Sequence, residues 1–588
     1  MSTDPSPEPD LQLVSPFPWR PSRVLLERLV LAALLIGLLA LKLSQAATEP
    51  AYGPDASYYY DIAAHVRDGH GLVTDVSLFN AGYGYFPHPT AVYPLWPLLL
   101  GIVGRVVPLE VAAIWLPTLF YFAAIVLAYR LARRVAPEPL FPETWPVLHA
   151  GHVAAAVVAL TNAMFLHTSK PFTEGLGYFL LLLALTRAER FFRGPSAWRG
   201  LELGVWFGLV ILTRSQLVLG AMAVAGALAW AVLRFGWRRW LGPALAFVVG
   251  LVAVLGVQLV HLAGFADGPR LVYLLRFDLV REPSELAALE IMVRPPGVLA
   301  WIADRARGVP IAFGGGPMSY AHCFGLWSAA LLLAVPFLVL DGWRAVQRRS
   351  TGLWAWLDTP ANLFRLAYAL LAIGGVVSLH TIHKAMFTPW NFGTRHALTA
   401  GFAIVAAILY LARRPVLGRV IAVFLVAASV YFGFWRIGNA PGNARKSADP
   451  PVQWSAAYNR PITQWLARRA AEEPGLVVVA QDIEVQKLAR FTDGVGYHWI
   501  YRTTTWAEVE FLFRERGARY LILRHDKAQH LRLARFKGHL ARNFTLAAAD
   551  LSGYSVFRRR GPGDPEGQWP KHVRSQDQTP DTPAGYGD

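Results

Sequence analysis

The sequence predicts a polytopic α-helical membrane protein that carries a small α/β domain near its C-terminal end. Of its 588 residues, 54% are hydrophobic and only 16% are charged, whereas a soluble domain carries about 25% charged residues. The hydrophobic residues form repeated blocks, several of them near the length of about 20 residues that crosses a bilayer. Arginine clusters such as Arg133-Arg134 and Arg238-Arg239 lie between these blocks. This spacing is typical of cytoplasmic loops under the positive-inside rule.

The basic charge and the single cysteine exclude several classes of function. A net charge of +17 would suggest a nucleic-acid partner in a soluble protein. Here the positive-inside rule accounts for much of the arginine, so we expect no nucleic acid as a partner. Cys323 is the only cysteine, which excludes an intrachain disulfide and a cysteine-based metal site.

The order of apolar blocks and basic clusters predicts the topology. The first span covers about 24–44, with Lys42 reaching out to the membrane interface. If Arg133 is cytoplasmic, only one crossing lies between residue 45 and that arginine. The block 92–108 contains Pro94, Pro97 and Pro108, so we expect it to be a juxtamembrane or re-entrant helix. This gives about eleven transmembrane helices, with the N-terminus inside and the C-terminus outside.

Four regions follow from this topology. They are a disordered cytoplasmic N-terminus (1–20), a transmembrane module (21–440) with extracytoplasmic loops 45–91 and 265–321, an extracytoplasmic α/β domain (450–560) and a disordered tail (561–588). In the α/β domain we expect a minimal βαβ unit, with strands at Leu476–Ala480 and Tyr520–Leu523 and a helix at Thr505–Gly517; Tyr554–Phe557 is a further edge strand. No glycine-rich phosphate loop accompanies it, so nothing indicates nucleotide binding.

The first loop carries the strongest candidate for chemistry. Asp55 stands where an N-cap starts a helix, and Gly69 and Gly71 end that helix. Tyr58 or Tyr59, Ile62 and Val66 recur at three- and four-residue spacing and predict a helix lying on the membrane surface. A carboxylate there could deprotonate an acceptor that attacks a lipid-borne donor. An ordinary helix cap is the alternative.

Two motifs in this region resemble those of a known superfamily. "Asp-Ala-Ser-Tyr-Tyr…Arg-Asp-Gly-His-Gly-Leu" from Asp55 and "His-Pro-Thr-Ala-Val-Tyr-Pro-Leu-Trp-Pro" from His88 resemble the polyprenyl-phosphate-sugar glycosyltransferases of the GT-C superfamily. Protein O-mannosyltransferases and lipid A aminoarabinose transferases belong to it. The resemblance implies that Asp55 is the catalytic base and that the proline-bearing segment is a juxtamembrane helix. It also implies a C-terminal extracytoplasmic domain.

The sequence departs from the superfamily at the second acid. Many relatives pair two adjacent acids in this loop, but here Ala56 follows Asp55 and the next acid is Asp61. Residues six apart do not share a helix face. We therefore expect Asp61 to be a surface acid and not a partner of Asp55.

Further candidates bind substrate. Arg214 and Arg395 lie at the predicted outer ends of spans, where an arginine can contact a lipid phosphate or simply reach the interface. The other substrate-binding candidates are Lys170, Glu174, His88, His383 and Tyr58. His380, His383 and Lys384 cluster together. The His-x-x-His spacing suggests a metal site, but no acidic residue lies nearby to serve as the third ligand. We therefore assign no metal ligands and no cofactor. The sequence leaves open whether the protein binds a divalent metal.

The sequence therefore predicts an inverting glycosyltransferase of the inner membrane. Its partners are a polyprenyl-phosphate-linked sugar donor, a glycan, lipid or protein acceptor, and the membrane. The alternative is a non-catalytic transporter or lipid-binding subunit, for which Gln258 and His261 are the few mid-membrane polar candidates. A wall-polymer polymerase or ligase differs from the first hypothesis mainly in its acceptor.

Overall fold

The computed structural model describes the greater part of the chain. The described residues are 23–46, 54–77, 86–89, 94–141, 145–168, 170–214, 217–263, 325–347, 356–357, 359–385, 397–414, 416–447, 456–481, 488–500, 504–528, 531–551 and 553–570. The predicted disordered N-terminus and the predicted loop 265–321 lie outside them, as does most of the predicted tail.

Apolar segments form most of the helices before residue 450. The helices are α1 (Arg23–Ala46), α2 (Pro54–Arg67), α3 (Leu95–Val103), α4 (Leu109–Val135), α5 (Ala150–Leu160), α6 (Asn162–His167), α7 (Glu174–Arg193), α8 (Ala197–Thr213), α9 (Val218–Phe235), α10 (Trp237–Ala263), α11 (Ala329–Gln347), α12 (Leu363–Ala385), α13 (Gly401–Ala412) and α14 (Leu417–Ser447). Five described segments are long and apolar enough to cross a bilayer: Val24–Ser44, Leu109–Val135, Val218–Phe235, Trp237–Gln258 and Leu417–Trp435. The chain is therefore a helical membrane protein, and the count of about eleven crossings stays a prediction.

Helix α3 is short, as its prolines predict. It has nine residues, which at 1.5 Å per residue gives roughly 14 Å. A hydrocarbon core of about 30 Å is twice that length. Helix α3 therefore cannot cross the membrane by itself.

Contacts between α1 and α4 show which helix ends share a side of the molecule. Glu27, near the start of α1, accepts a hydrogen bond of 2.8 Å from Arg133, near the end of α4. Its other oxygen lies 2.7 Å from His149 Nε2. The start of α1 and the end of α4 thus lie together, while α1 leads to the loop that holds α2. This arrangement agrees with a single crossing between α1 and Arg133.

Glycines let α8 and α10 approach closely. A Cβ added at Gly204 would lie 2.0 Å from the carbonyl oxygen of Phe247, and one at Gly200 would lie 2.3 Å from that of Pro243. One at Gly208 would meet the side chain of Val254 at 2.6 Å. Glycines spaced by four lie along one face of a helix, and such faces drive close backbone packing in membranes.

The C-terminal region forms a six-stranded mixed sheet. Its strands are β6 (Leu476–Gln481), β7 (Val495–Ile500), β8 (Tyr520–Arg524), β9 (Phe544–Ala548), β10 (Tyr554–Arg559) and, from the first loop, β2 (Val76–Ser77). Their order is β2-β7-β6-β8-β10-β9. β2, β7, β6 and β8 are parallel, whereas β10 is antiparallel to β8 and to β9. The predicted βαβ unit is therefore the centre of a larger sheet.

Four further α-helices and four short strands belong to the described part of the chain. They are α15 (Ala456–Glu472), α16 (Trp506–Glu515), α17 (His525–Ala528), α18 (Lys537–Asn543), β1 (Val73–Thr74), β3 (His88–Pro89), β4 (Pro139–Phe141) and β5 (Trp145–His149). Thr505 and Glu508 form a capping box at the start of α16. The helix predicted there thus begins where its sequence indicates.

The two faces of the sheet pack into different cores. In β6, Val478 and Ala480 join the core that continues into the transmembrane helices, whereas Val477 and Val479 join a second core. Side chains alternate between the faces of a strand, so the core on one face of the sheet is continuous with the core of the transmembrane helices. Val509 of α16 contributes to the second core. Helix α16 therefore covers one face of the sheet, and α15 packs on the other, with the ring of Trp465 5.0 Å from the ring of Tyr520.

Candidate active site

Asp55 lies in the first turn of α2. The helix begins at Pro54, so Asp55 is its second residue and not the predicted N-cap; the described part of the chain does not include its side chain. A carboxylate in the first turn of a helix is favoured by the helix dipole. The position of Asp55 is thus set by how α2 is held.

Helix α2 packs inside the protein, which corrects the prediction of a surface helix. Tyr58, Tyr59, Ile62 and Val66 are all buried. A Cβ added at Gly101 of α3 would lie 2.6 Å from both the carbonyl oxygen of Ala63 and Val66 Cβ. The apolar stripe therefore faces protein and not lipid, because α3 covers it.

The end of α2 is fixed by glycine and by Arg105. Gly69 and Gly71 have φ values of +89° and +88°, conformations that favour glycine and end a helix. The Arg105 guanidinium donates to the carbonyl oxygens of Val66 and Arg67 at 3.0 and 3.2 Å. An arginine on the last carbonyls satisfies helix acceptors and opposes the dipole.

Asp61 is buried, and the prediction of a surface acid is wrong. Its carboxylate is covered by the turn that carries Thr74 and Asp75. One of its oxygens accepts a hydrogen bond of 2.7 Å from the Thr74 hydroxyl and one of 3.1 Å from the Asp75 backbone N–H. Helix geometry alone did not indicate this contact because the chain returns to α2 only after Gly71.

Asp61, His65 and Asp75 form an ionisable cluster. His65 Nε2 lies 3.1 Å from Asp75 Oδ2. Burial and then the charge of Asp75 raise the pKa of Asp61 to about 7, against the lowering effects of His65 and two hydrogen bonds. Burial lowers the pKa of His65, but its hydrogen bond to Asp75 and the nearby carboxylates raise it above the ordinary value. Negative charge is thus concentrated beside α2.

The segment 161–174 lies beside α3 and is held from several helices. The Lys42 ammonium donates to Thr168 Oγ1 at 3.0 Å and also to the carbonyl oxygen of Phe165. The Trp96 indole donates to the carbonyl oxygen of Pro171 at 2.7 Å. Thr118 donates to the carbonyl oxygen of Thr168 at 3.0 Å. These bonds fix the segment that carries Lys170 and Glu174.

The sequence placed Lys42 at the membrane interface, and this prediction is wrong. It is buried, and its Nζ lies 4.3 Å from the centroid of the Phe165 ring and 5.1 Å from that of Tyr121. Aromatic faces and carbonyl oxygens stabilise an ammonium away from water. Lys42 is therefore a packing residue of this segment.

Glu174 and Arg214 form a buried ion pair. Arg214 Nη1 lies 2.9 Å from Glu174 Oε1 and donates to Thr173 Oγ1 at 3.0 Å. Their side chains are 4% and 0% exposed, for Arg214 and Glu174 respectively. The pair joins the start of α7 to the end of α8.

The structure brings some predicted substrate-binding residues together and leaves others elsewhere. Lys170 is partly exposed in the segment 161–174, beside the Glu174–Arg214 pair. His88 is buried in β3, with Nε2 3.0 Å from the carbonyl oxygen of Val76, and Tyr58 is buried against Tyr59. Arg395 lies outside the described residues, as do the side chains of His380, His383 and Lys384 in α12.

The comparisons with known proteins identify the fold. Two solved structures of the Archaeoglobus fulgidus oligosaccharyltransferase are similar to this chain. One is the apo form, with a TM-score of 0.51, 13% identity, and coverage of 91% of this chain and 75% of the other. The second is tethered to an acceptor peptide containing the NVT sequon, with a TM-score of 0.50, 13% identity, and coverage of 90% and 74%. The chain has the GT-C fold.

The GT-C fold confirms the resemblance that was drawn from the sequence. The similarity to known proteins rests on structure alone. No family model and no curated protein matches the sequence. The site contains Asp75, which the sequence did not single out, and it lies near Lys42, which the sequence placed at the membrane interface. Asp75 follows Asp61 by 14 residues, so only the return of the chain after Gly71 could reveal it. The signal available was the polar run Thr74-Asp75 between apolar residues.

Proposed function

We propose that this chain is an inverting GT-C glycosyltransferase, which moves a sugar from a polyprenyl phosphate to an extracytoplasmic acceptor. The observation that carries the proposal is a GT-C fold matched over nine-tenths of the chain, with Asp55 in the first turn of a helix that packs against α3. The proposed location is the inner membrane, with the N-terminus cytoplasmic and the sheet outside.

In this proposal Asp55 is the general base. Its carboxylate takes the proton of an acceptor hydroxyl or amine while the acceptor atom attacks the anomeric carbon. The bond from that carbon to the phosphate oxygen breaks, and polyprenyl phosphate leaves with the bonding electrons. One displacement inverts the anomeric configuration. Base catalysis of this kind contributes about 10²–10⁴-fold.

Charge on the departing phosphate needs a cation close by. Lys170 suits this role because it is partly exposed on a segment fixed by four other elements. Arg214 suits a positioning role better, since its guanidinium is buried against Glu174 and Thr173. Arg395 and His383 stay sequence-based candidates for the phosphate, and His88 and Tyr58 would shape the site from within.

A transporter has less support. The apolar cavity between α4, α5, α7, α12 and α13 measures about 130 Å³, and its lining contains no charged side chain. A transported polar substrate needs polar groups near the membrane midplane. This cavity therefore offers no such site within the described part of the chain.

The choice of donor tests the proposal. The purified protein in vesicles is incubated with a polyprenyl-phosphate-linked sugar or with the matching nucleotide sugar, together with mixed glycan, lipid and peptide acceptors. We expect release of polyprenyl phosphate and a product of inverted anomeric configuration from the first donor only. Transfer from the nucleotide sugar, or retention of configuration, would contradict the proposed chemistry.

A further inference from the structure

One face of α2 and the turn before β2 bring three metal-binding groups together. Asp61 and His65 are four residues apart on α2, so their side chains project from the same face. Asp75 comes from the turn between β1 and β2. One ligand atom from each of the three residues lies within 4.8 Å of those of the other two.

The distance between two of these ligand atoms suits a small cation. Zinc lies about 2.0–2.2 Å from nitrogen and carboxylate ligands, which places tetrahedral ligand atoms roughly 3.3 Å apart. His65 Nε2 and Asp75 Oδ2 already lie 3.1 Å apart. The side chains of His65 and Asp75 are 15% and 10% exposed, and Asp61 is 4% exposed. The three ligands are thus largely shielded from water, and His65 is the most exposed of them.

The charge of the cluster also favours a cation. Two carboxylates and one imidazole are buried together, and a buried carboxylate is costly unless its charge is balanced. A divalent ion would balance both carboxylates at once.

Neighbouring groups hold the ligands in place. The Thr74 hydroxyl and the Asp75 N–H both donate to one oxygen of Asp61. His70 Nδ1 lies 3.3 Å from His65 Nδ1, so it can orient the ring while Nε2 faces the carboxylates. Contacts of this kind fix ligand direction in metal sites.

We propose that Asp61, His65 and Asp75 bind one divalent transition-metal ion of the zinc class. An imidazole ligand disfavours calcium and magnesium, which prefer oxygen. The ion would tie α2 to the turn before β2, which pairs with β7 in the C-terminal sheet. This role is separate from the proposed transfer reaction, because Asp55 is not one of the ligands.

The test is metal content. The full-length, untagged protein in detergent is stripped with a chelator, incubated with zinc in the presence of millimolar magnesium and calcium, and dialysed. We expect about one zinc per chain by mass spectrometry, and at least tenfold less in His65→Gln and Asp75→Asn. The matched control is Asp68→Asn, since Asp68 lies in the same loop but is exposed and paired with Arg67. It should retain the ion.

Two further measurements do not depend on the variants folding. Zinc should raise the unfolding temperature of the stripped wild-type protein by several degrees, because an ion bound only to the folded state stabilises it. Cobalt should give the visible absorption of a low-coordinate nitrogen and oxygen site. Failure of zinc to bind to the wild-type protein, retention of zinc by Asp75→Asn, or displacement by magnesium would each overturn the proposal. Loss of transfer in Asp55→Asn with zinc retained would leave it intact.

Discussion

The Glu174–Arg214 pair shows how a buried charge can serve the site without touching substrate. Both side chains are almost inaccessible, so each needs the other to compensate for the loss of water. Arg214 also donates to Thr173, the residue before α7. The pair therefore fixes the segment that carries Lys170.

Removal of one partner should be costly. We expect Arg214→Ala to lower the free energy of unfolding by about 3–5 kcal/mol, because it removes one partner of a buried ion pair. Chemical unfolding in detergent measures this change. Arg199→Ala is the control. Arg199 is an exposed arginine of α8, the helix that ends next to Arg214, and it donates to the carbonyl oxygen of Gly194. Equal, small effects of both substitutions would contradict a stabilising role for the pair.

Close contact between α2 and α3 determines where Asp55 lies. Gly101 leaves room for the backbone of Ala63 and the side chain of Val66. This contact turns α2 into the protein, although its sequence stripe resembles that of a surface helix. The helix that carries Asp55 is therefore positioned by a helix that does not itself span the membrane.

We expect Gly101→Ala to separate α2 from α3. The added Cβ would lie 2.6 Å from both neighbours, and such overpacking costs about 1–3 kcal/mol. A shift of about 1 Å in a catalytic group can lower the rate about 100-fold. Transfer should thus fall at least tenfold while the protein stays folded in detergent, as judged by gel filtration. Gly242→Ala, where no atom lies within 4 Å of the added Cβ, should transfer at the wild-type rate; equal rates in the two variants would refute the packing argument.

Hydropathy and proline positions predicted the elements whose signals are local. The first span, the short α3 and the helix that begins after Thr505 all follow from such signals. β7 and β9 were missed, because Val495–Ile500 and Phe544–Ala548 mix apolar and polar residues without clear alternation. Asp61 was misjudged because its partners come from a turn 13 and 14 residues away. Long-range pairing, and not propensity, decides these cases.

At the scale of the whole molecule, the first loop and the C-terminal region share one sheet. β2 pairs with β7 in parallel, with Val76 opposite Tyr497, and Phe86 packs on Gly496. Residues more than 400 positions apart thus form adjacent strands. The turn that holds Asp75 is therefore anchored both to α2 and to the C-terminal sheet.

We expect Gly496→Ala to loosen this junction. The added Cβ would lie 2.2 Å from the Phe86 ring. If this overpacking costs about 1.4 kcal/mol, the equilibrium constant for local opening of the junction rises about tenfold. Hydrogen exchange of residues 73–77 should become about tenfold faster, while α4 stays unchanged. Gly538→Ala is the control, because no atom lies within 4 Å of its added Cβ. Unchanged exchange at 73–77 would mean that the junction does not hold the loop.

The proposed reaction requires Asp55 to deprotonate the acceptor. Its most direct test is the rate of polyprenyl phosphate release by Asp55→Asn in vesicles with donor and acceptor present. Asparagine keeps the shape of the side chain but cannot take a proton, so we expect the rate to fall by about 100-fold or more, while Asp68→Asn retains the wild-type rate. Release by Asp55→Asn at the rate of Asp68→Asn would contradict the claim.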